Sequence, residues 1–583
     1  MAPTRTRAAV IRGDLIAGTT TAVMLIPQAM AYALLAGLPP IAGLYAALIP
    51  PALYAILGTS RHLAVGPVAM DSLLVAATVG SIAVTGPEAY WVIASALAIL
   101  VGLMQLALGL SKLGSLVNLI SRPVIAGFTS GASILIALSQ AGPLLGIQLE
   151  RSQPVYLKLI TIAQRAAEVH GLTLLIGALA IATLVALKRL APRVPRALVV
   201  VVAGALAVWG LGLHERGVAI VGAVPAGLPT PRLPVIDLAL AADLLSAALV
   251  IALLSFLEAI SSGLATARKD SDRSAASAID PNRELIALGV ANLGTGLFRG
   301  YPVAGGLSRT AVNFQAGARS RLSGVITAAL VGLTLLFLTP AFYFLPKPVL
   351  SAIIMVAVFS LFDWRAAVQL FRVERRDLAV MLATFGSTLV IGITAGVAVG
   401  VALSLAVFVR RAATPHSAVL GRLPGTEVYR NLLRYEEAVE LPGVVILRFD
   451  APLFFANVQK LQTRLDARLA ESSQPDRAPV QAVVFDAGGV AYLDASAVAA
   501  LGEYIDTLRA RGVDFYFARV PGPARDVLCR DGLAARLGEQ RFFFTTHEAV
   551  EAARAQLGVT WPDELVVDNG REPSRPIELD GAA

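Results

Sequence analysis

The chain has 583 residues, a net charge of +8, 56% apolar residues and only 15% charged ones, a composition outside the range of water-soluble globular domains. One cysteine, Cys529, excludes an internal disulfide, and five scattered histidines offer no metal-ligand spacing. The basic excess sits in joints between hydrophobic stretches, where it orients a membrane protein, so nucleic-acid binding is set aside.

Apolarity and charge divide at the same place. Residues 1–412 hold 30 Lys+Arg and 16 Asp+Glu, a net +14, whereas residues 413–583 hold 18 and 24, a net −6. The first apolar run, Asp14 to Ala36, follows Arg5, Arg7 and Arg12. It is too long for a secretory signal and lacks a small-residue cleavage site, so it reads as a retained first helix, with Asp14 an ordinary start-of-helix acid at the membrane edge.

Hydrophobic runs punctuated by Pro, Gly and basic residues predict fourteen spans, at 13–36, 40–58, 68–82, 89–110, 124–142, 171–190, 194–212, 241–265, 284–298, 308–318, 321–340, 346–362, 376–393 and 395–411. With the N-terminus inside, the cytoplasmic joints collect Lys188, Arg189, Arg193 and Arg196, then Arg268, Lys269, Arg273 and Arg283, then Arg372, Arg375 and Arg376, and finally Arg410 and Arg411. The expectation is a multi-pass protein of a bacterial inner membrane with both termini cytoplasmic.

The third and tenth spans are too short. One follows Arg61-His-Leu-Ala-Val-Gly-Pro-Val68 and the other Gly300-Tyr-Pro-Val-Ala-Gly-Gly-Leu307. Irregular backbone at membrane depth is tolerated only where protein buries it or it lines a cavity. Breaks at the third position of the first seven spans and of the second seven are what an inverted repeat gives. Span three would run outward and span ten inward, so both helix N-termini would converge at the midplane and attract an anion. The plainer reading is ordinary Gly-Pro and Gly-Gly loops.

Ionisable residues in the spans carry the rest. Arg309, on the first turn of span ten, needs a negative partner, either a transported anion assisted by Ser308 and backbone N–H groups or a permanent acid. Glu258, in the middle of span eight, could carry a proton or form a fixed salt bridge to Arg309. Asp71, on the first turn of span three, is either a dipole-stabilising acid or a coupling-ion ligand. Gln28 and Tyr32, four apart on span one just after Pro27, either line a cavity or pack helices.

Together, Pro27-Gln-Ala-Met-Ala-Tyr-Ala-Leu-Leu-Ala-Gly-Leu-Pro-Pro40, Ser121-Arg-Pro-Val-Ile-Ala-Gly-Phe-Thr129 and Gly306-Leu-Ser-Arg-Thr-Ala-Val-Asn-Phe-Gln-Ala-Gly-Ala318 resemble the SulP (sulfate permease) anion transporter family. The resemblance covers nearly the whole chain. It implies core and gate domains built from seven-plus-seven inverted repeats, an elevator-like movement of the core, and a homodimer. It also implies that Gln28, Tyr32, Val68, Leu307, Ser308 and Arg309 line the anion pocket and that Glu258 is similar to the acid that couples protons in symporting members, while members that use sodium hold the ion in the same region. Asp71 departs from the apolar or hydroxyl residue expected at its position.

Within the tail, apolar runs at 443–449, 481–486 and 513–518 alternate with helix-like segments such as Ala495 to Ala510, as in a small α/β domain, and this is similar to a STAS domain. The expected division is a membrane domain at 1–412, a linker at 413–440, the STAS domain at 441–558 and a disordered tail at 559–583. Asp494-Ala-Ser496 resembles the loop of STAS-type anti-anti-sigma factors that is phosphorylated on its second serine, which makes Ser496 a candidate phosphorylation site; the plainer reading is a helix N-cap.

The resulting expectation is a secondary transporter, not an enzyme, that takes a small anion between Arg309 and two helix N-termini. It needs no cofactor or metal and couples to protons, or alternatively to sodium. An uncoupled exchanger or channel, a sodium-coupled bicarbonate symporter, and a membrane sensor signalling through a cytosolic partner of the tail are the rivals. A dipole-and-arginine pocket recognises charge more than shape, so sulfate, bicarbonate, chloride and dicarboxylates all fit it.

Overall fold

A computed structural model describes residues 7–82, 86–115, 121–149, 155–191, 194–270, 279–359, 362–472, 478–559 and 561. Arg5, Arg193, Arg273 and nearly all of the tail expected to be disordered lie outside these residues. The chain forms two compact units, residues 1–404 and 405–583.

The first unit begins with helices α1 (Arg7–Leu35) and α2 (Pro40–Leu57), followed by a two-residue strand β1 (Val65–Gly66) and the short helix α3 (Ala69–Gly80). Next come α4 (Pro87–Leu110), α5 (Arg122–Leu145), α6 (Val155–Gln164), α7 (Gly171–Leu190), α8 (Arg196–Gly210), α9 (Leu238–Ala267) and α10 (Pro281–Leu297). A second two-residue strand, β2 (Ala304–Gly305), leads into the short helix α11 (Leu307–Gln315). The unit continues through α12 (Leu322–Leu333), α13 (Lys347–Phe359), α14 (Trp364–Val373) and α15 (Arg375–Val390), and the last helix, α16 (Ile393–Ala413), crosses the boundary between the units.

Each of the fourteen predicted runs coincides with a helix, and nine helical stretches among the described residues are long and apolar enough to cross a membrane. Two further helices, α6 and α14, were not expected. The latter exposes Trp364, Val368 and Phe371, spaced four and three apart on one face, the pattern of a helix lying in a bilayer surface rather than spanning it. Its ten residues are too few for an apolar run to register.

Glycines let the long helices approach closely. On α4 and α10, Gly102 faces Gly289, and a Cβ on either would lie 2.7 and 2.9 Å from the other's carbonyl oxygen. One heptad further along, a Cβ on Gly296 would lie 2.6 Å from the Ser95 carbonyl. Where lipid removes the hydrophobic drive for association, such backbone proximity supplies the packing energy.

Two buried acids fasten loops to this frame. Asp14 is wholly buried and accepts from the Arg319 and Ser320 amides at 2.7 and 2.9 Å, so it anchors the segment after α11 to α1. Glu284, on the first turn of α10, accepts from the Tyr54 hydroxyl at 2.8 Å, from the Thr59 amide and hydroxyl at 2.6 Å and from the Ser60 amide at 3.2 Å. Neither acid is an unpaired charge, because oriented donors replace the water each has lost.

The second unit is built on a six-stranded sheet: β3 (Ser417–Arg422), β4 (Tyr429–Asn431), β5 (Val444–Phe449), β6 (Ala482–Asp486), β7 (Asp514–Ala518) and β8 (Phe542–Phe543), in the order β4-β3-β5-β6-β7-β8. Strands β5 to β8 run parallel, and β3 is antiparallel to both β4 and β5. The interval expected as a linker, 413–440, therefore contains two strands of the sheet. They are short and end in polar residues, so only pairing with β5 identifies them. Helices α17 (Val458–Ser472), α18 (Ala495–Ala510), α19 (Gly522–Asp531), α20 (Leu533–Leu537) and α21 (Thr546–Leu557) complete the unit. Strand alternation divides the core: Val445, Leu447 and Phe449 pack with α17 and α18 on one face, and Val444 and Ile446 pack with Ala549, Val550 and Ala553 of α21 on the other.

Candidate functional site

The breaks before α3 and α11 form one structure. β1 and β2 pair antiparallel, Val65 with Gly305 and Gly66 with Ala304, and all four residues are buried. Because the strands are antiparallel, the helices that follow leave the crossing in opposite directions and turn their N-termini towards it. With 12 and 9 residues, α3 and α11 are about 18 and 14 Å long, each roughly half a bilayer core. The caps are Val68 and Gly306, and neither has a side chain that can accept from the first-turn N–H groups. The positive ends of both helices are thereby left to whatever occupies the space between them.

Polar side chains hold the crossing in place. Asn292 of α10 accepts from the Val303 amide at 2.8 Å and donates to the Val303 carbonyl at 3.1 Å and to Gln105 of α4 at 2.9 Å. Thr310 accepts from the Ala64 amide at 3.1 Å, and Asn313 donates to the His62 carbonyl at 2.9 Å. These bonds satisfy backbone groups that an irregular segment would otherwise strand away from water. On α9, Ser255, Ala259 and Ser262 share a face, and a Cβ on Gly305 would come within 2.9 Å of Ala259 Cα, so α9 lies directly on β2.

Arg309 is the largest fully buried side chain of the protein's described residues, 2% exposed. Its Nη1 donates to the Pro67 carbonyl at 2.5 Å, across the crossing, whereas Nε and Nη2 have no hydrogen-bond partner. Glycine makes room for it: a Cβ on Gly306 would lie 2.9 Å from the guanidinium carbon, and one on Gly66 3.6 Å from Nη2. Tyr32 of α1, Glu258 of α9 and Tyr301 lie within electrostatic reach of Arg309. Glu258 makes no ion pair with it among the described residues, and the Glu258 Oε2, although the residue as a whole is only half-buried, is sealed from solvent without a partner.

Asp71 is wholly buried on the first turn of α3 and close enough to Glu258 to act on its charge. Its Oδ2 accepts from the Ser255 hydroxyl at 2.8 Å, and its Oδ1 has no partner. It does not cap α3, since Val68 holds that position. Gln28, one turn before Tyr32 on α1, is buried with its Oε1 unpartnered. Val68 is 4% exposed, whereas Leu307 is 53% exposed and Ser308 is exposed beside it, so one side of the α11 N-terminus is open. The expected pocket residues thus fall on α1, α11 and the cap of α3, and the expected coupling acids Glu258 and Asp71 on α9 and α3.

Unpartnered buried polar atoms cost about 1–3 kcal/mol each, and native folds hold few of them. Among the described residues, five such atoms fall on Gln28, Asp71, Glu258 and Arg309.

Several residues of this site were not singled out from the sequence. Tyr301 is wholly buried, and its hydroxyl accepts from Ser72 at 3.3 Å. It sits within the Gly-Tyr-Pro break itself, where an aromatic residue at membrane depth was a usable signal. Asn292 and Gln105 were legible as lone amides in apolar runs, whereas Ser255 and Thr310 carry no signal that separates them from helix-packing hydroxyls.

In the second unit, Ser496 is exposed on the first turn of α18. As the N-cap reading of this loop expects, the cap is Asp494, which accepts from the Ala497 amide at 2.7 Å and the Phe455 amide at 3.0 Å, and Ser496 stands on the turn behind it.

Comparison with known proteins shows the family. The profile of the sulfate permease family matches residues 11–384, and that of the STAS domain matches residues 435–552. The probable sulfate transporter 4.2 of Arabidopsis thaliana is 38% identical over 92% of this chain and 80% of its own length. A probable sulfate transporter of Mycobacterium tuberculosis is 36% identical over 93% and 95%. Among solved structures, the murine Slc26a9 anion transporter in the inward-facing state superposes with a TM-score of 0.86 at 25% identity, covering 95% of this chain and 93% of that one. The transmembrane domain of the cyanobacterial bicarbonate transporter BicA gives 0.57 at 26% identity, over 69% and 98%. With its paired half-helices, its buried arginine and its α/β tail, the chain belongs to the sulfate permease family: it is a multi-pass membrane anion transporter with a STAS domain, not an enzyme.

Proposed function

We propose that this protein is a secondary active transporter that takes up a small anion of the sulfate, bicarbonate or dicarboxylate class with protons, by an elevator-like alternation of a core against a gate. The observation that carries the proposal is Arg309, a buried guanidinium with Nε and Nη2 unpartnered between two uncapped helix N-termini. The anion would accept from those two donors and from the first-turn amides of α3 and α11. Gln28, Tyr32, Val68, Leu307 and Ser308 would form the wall around it.

Glu258 supplies the coupling. Ionised, it competes with substrate for the field of Arg309; protonated, it releases the arginine to the anion. Removing one unit charge about 5 Å away in a site of intermediate dielectric is worth on the order of 3 kcal/mol, about a hundredfold in affinity. Asp71, tied to Ser255 and facing Glu258, is the second acid through which the proton passes. The remaining elements of the proposal are a homodimer in a bacterial inner membrane with both termini cytoplasmic, and a tail that acts on transport or on a cytosolic partner, with Ser496 as its phosphorylation site.

Likeness to a bicarbonate transporter favours one second reading, a sodium-coupled bicarbonate symporter using the same acids. Uptake of labelled sulfate, bicarbonate and fumarate into proteoliposomes, under an inward proton gradient and then a sodium gradient, separates these readings. Proton-driven accumulation that Glu258→Gln abolishes while the variant still exchanges anion across equal concentrations is the expected result. Flux indifferent to both gradients would instead make the protein an uncoupled exchanger or channel, and no flux of any anion would favour a sensor.

A further inference from the structure

The strand alternation of the tail leaves one position out of pattern. Val444 and Ile446 of β5 are buried on the sheet face covered by α21, and the next residue on that face is Arg448. Its cross-strand neighbour Ala418 still belongs to that core, so the apolar surface stops at Arg448. Beyond it opens a cavity of about 380 Å³, lined by His416, Arg430, Asn431, Arg434, Arg448 and Asp450 among others. That volume falls in the range of small-molecule sites.

The cavity is built rather than incidental. Asp450 accepts from Arg448 Nε at Oδ1, at 2.7 Å, and from Nη2 at Oδ2, at 3.1 Å, and His416 Nδ1 lies 2.8 Å from the same Oδ2. Burial raises the Asp450 pKa, but the bonds from Arg448 and His416 outweigh it and hold the acid below its ordinary value. Among the described residues, the one acid lining the cavity is therefore spent on fixing two of the basic groups. Asn431 fixes the turn after β4: its side chain accepts from the Leu433 amide at 3.0 Å, and its carbonyl accepts from the Arg434 amide at 3.0 Å. This turn carries Arg434, whose side chain has no partner among the described residues, and Arg430 reaches only the Tyr429 carbonyl, at 3.4 Å. Two guanidiniums beyond the Arg448–Asp450 pair thus face one space with donors uncommitted.

We infer that this cleft of the STAS domain binds a phosphoryl group, so that the tail senses a phosphorylated compound distinct from the transported anion. Forked guanidinium donors suit a tetrahedral oxyanion, and three of them on two strands and a pinned turn supply charge and direction together. The phosphoryl group could belong to a soluble metabolite or to a lipid headgroup.

Hydrogen exchange on the full-length protein distinguishes these sources and reads the cleft without interference from the transport site. In one arm the protein sits in phosphatidylcholine nanodiscs with inorganic pyrophosphate added to about 1 mM, a concentration that detects even weak binding. In the other it sits in phosphatidylglycerol nanodiscs without pyrophosphate. The expected result is slower exchange of the amides of 429–435 in at least one arm, lost in Arg430→Gln/Arg434→Gln, while strands 444–449 and 482–486 exchange as in wild type and so report an intact fold. Protection in the first arm assigns a soluble ligand, and protection in the second alone assigns a headgroup. Unchanged exchange in both arms, or protection that persists in the double variant, overturns the inference.

Discussion

Arg309→Met separates a substrate-binding arginine from a structural one. The replacement keeps most of the side-chain volume and removes the charge. A buried arginine held by a permanent acid would leave that acid stranded when removed, at a cost of about 3–5 kcal/mol in stability. No such acid pairs with Arg309 among the described residues; its one bond is from Nη1 to the Pro67 carbonyl. Losing that charge-assisted bond costs about 1.5–3 kcal/mol, while relieving the membrane of an arginine recovers about 2.5–3.5 kcal/mol. The two nearly cancel, so the variant should melt within a few degrees of wild type, or above it. Substrate binding should fall steeply, because two charge-assisted bonds from Nε and Nη2 amount to about 3–6 kcal/mol, or roughly 150-fold to 20,000-fold in Kd. Thermal unfolding in detergent, paired with anion uptake into proteoliposomes, reads both quantities on one preparation. A variant that transports within about threefold of wild type (under 1 kcal/mol), or one that unfolds without anion as a broken salt bridge would, refutes the reasoning.

Glu284→Ala removes the acceptor for Tyr54, Thr59 and Ser60; the stranded donors should lower stability by about 3–5 kcal/mol, measurable as a loss of folded protein on fluorescence-detected size exclusion. Gly289→Leu drives a side chain into the Gly102 backbone, where even a Cβ finds 2.9 Å, and should abolish α4–α10 packing, whereas the same change at Gly386, with open space around it, should leave expression unchanged. In the tail, Glu551 accepts from Trp561 Nε1 and Arg554 Nε, both at 2.7 Å. Burial raises its pKa, but these bonds outweigh it and depress it below the ordinary glutamate value of 4.5. A depressed acid contributes stability that is present above its unfolded pKa and lost as pH falls through the folded one, so Trp561 should detach only below about pH 4.5. Its fluorescence, read in a variant retaining Trp561 alone, should show that transition, and Glu551→Gln should remove it; a transition unchanged in Glu551→Gln would refute the assignment.

The tail shows how far pattern reading goes. Helix α18 begins and ends where the sequence placed it, at Ala495 and Ala510, because Asp494 caps it and apolar residues recur at helical spacing. β5, β6 and β7 were legible as apolar runs bounded by turns. β3 and β4 were not, since a six-residue and a three-residue strand with polar ends become strands only when β5 supplies their hydrogen bonds.

What the sequence determined alone was local: which segments are apolar enough to be helices, where Gly and Pro interrupt two of them, and which ionisable residues fall inside. Those features depend on runs of neighbouring residues and on the free energy of placing them in lipid. The tertiary structure decided how the interruptions meet and which buried charges are satisfied. The Ser255–Asp71 bond joins residues 184 apart, Arg309 reaches Pro67 across 242, and the Arg319 amide finds Asp14 across 305. From the sequence, Asp14 was a helix-start acid, Asp71 either such an acid or a coupling-ion ligand, and Arg309 either a substrate-binding cation or one paired with a permanent acid. The turn after α11 surrounds Asp14 with donors, while the crossing of β1 and β2 leaves Arg309 two short, because hydrogen-bond satisfaction at membrane depth is a property of the assembled elements rather than of any one of them.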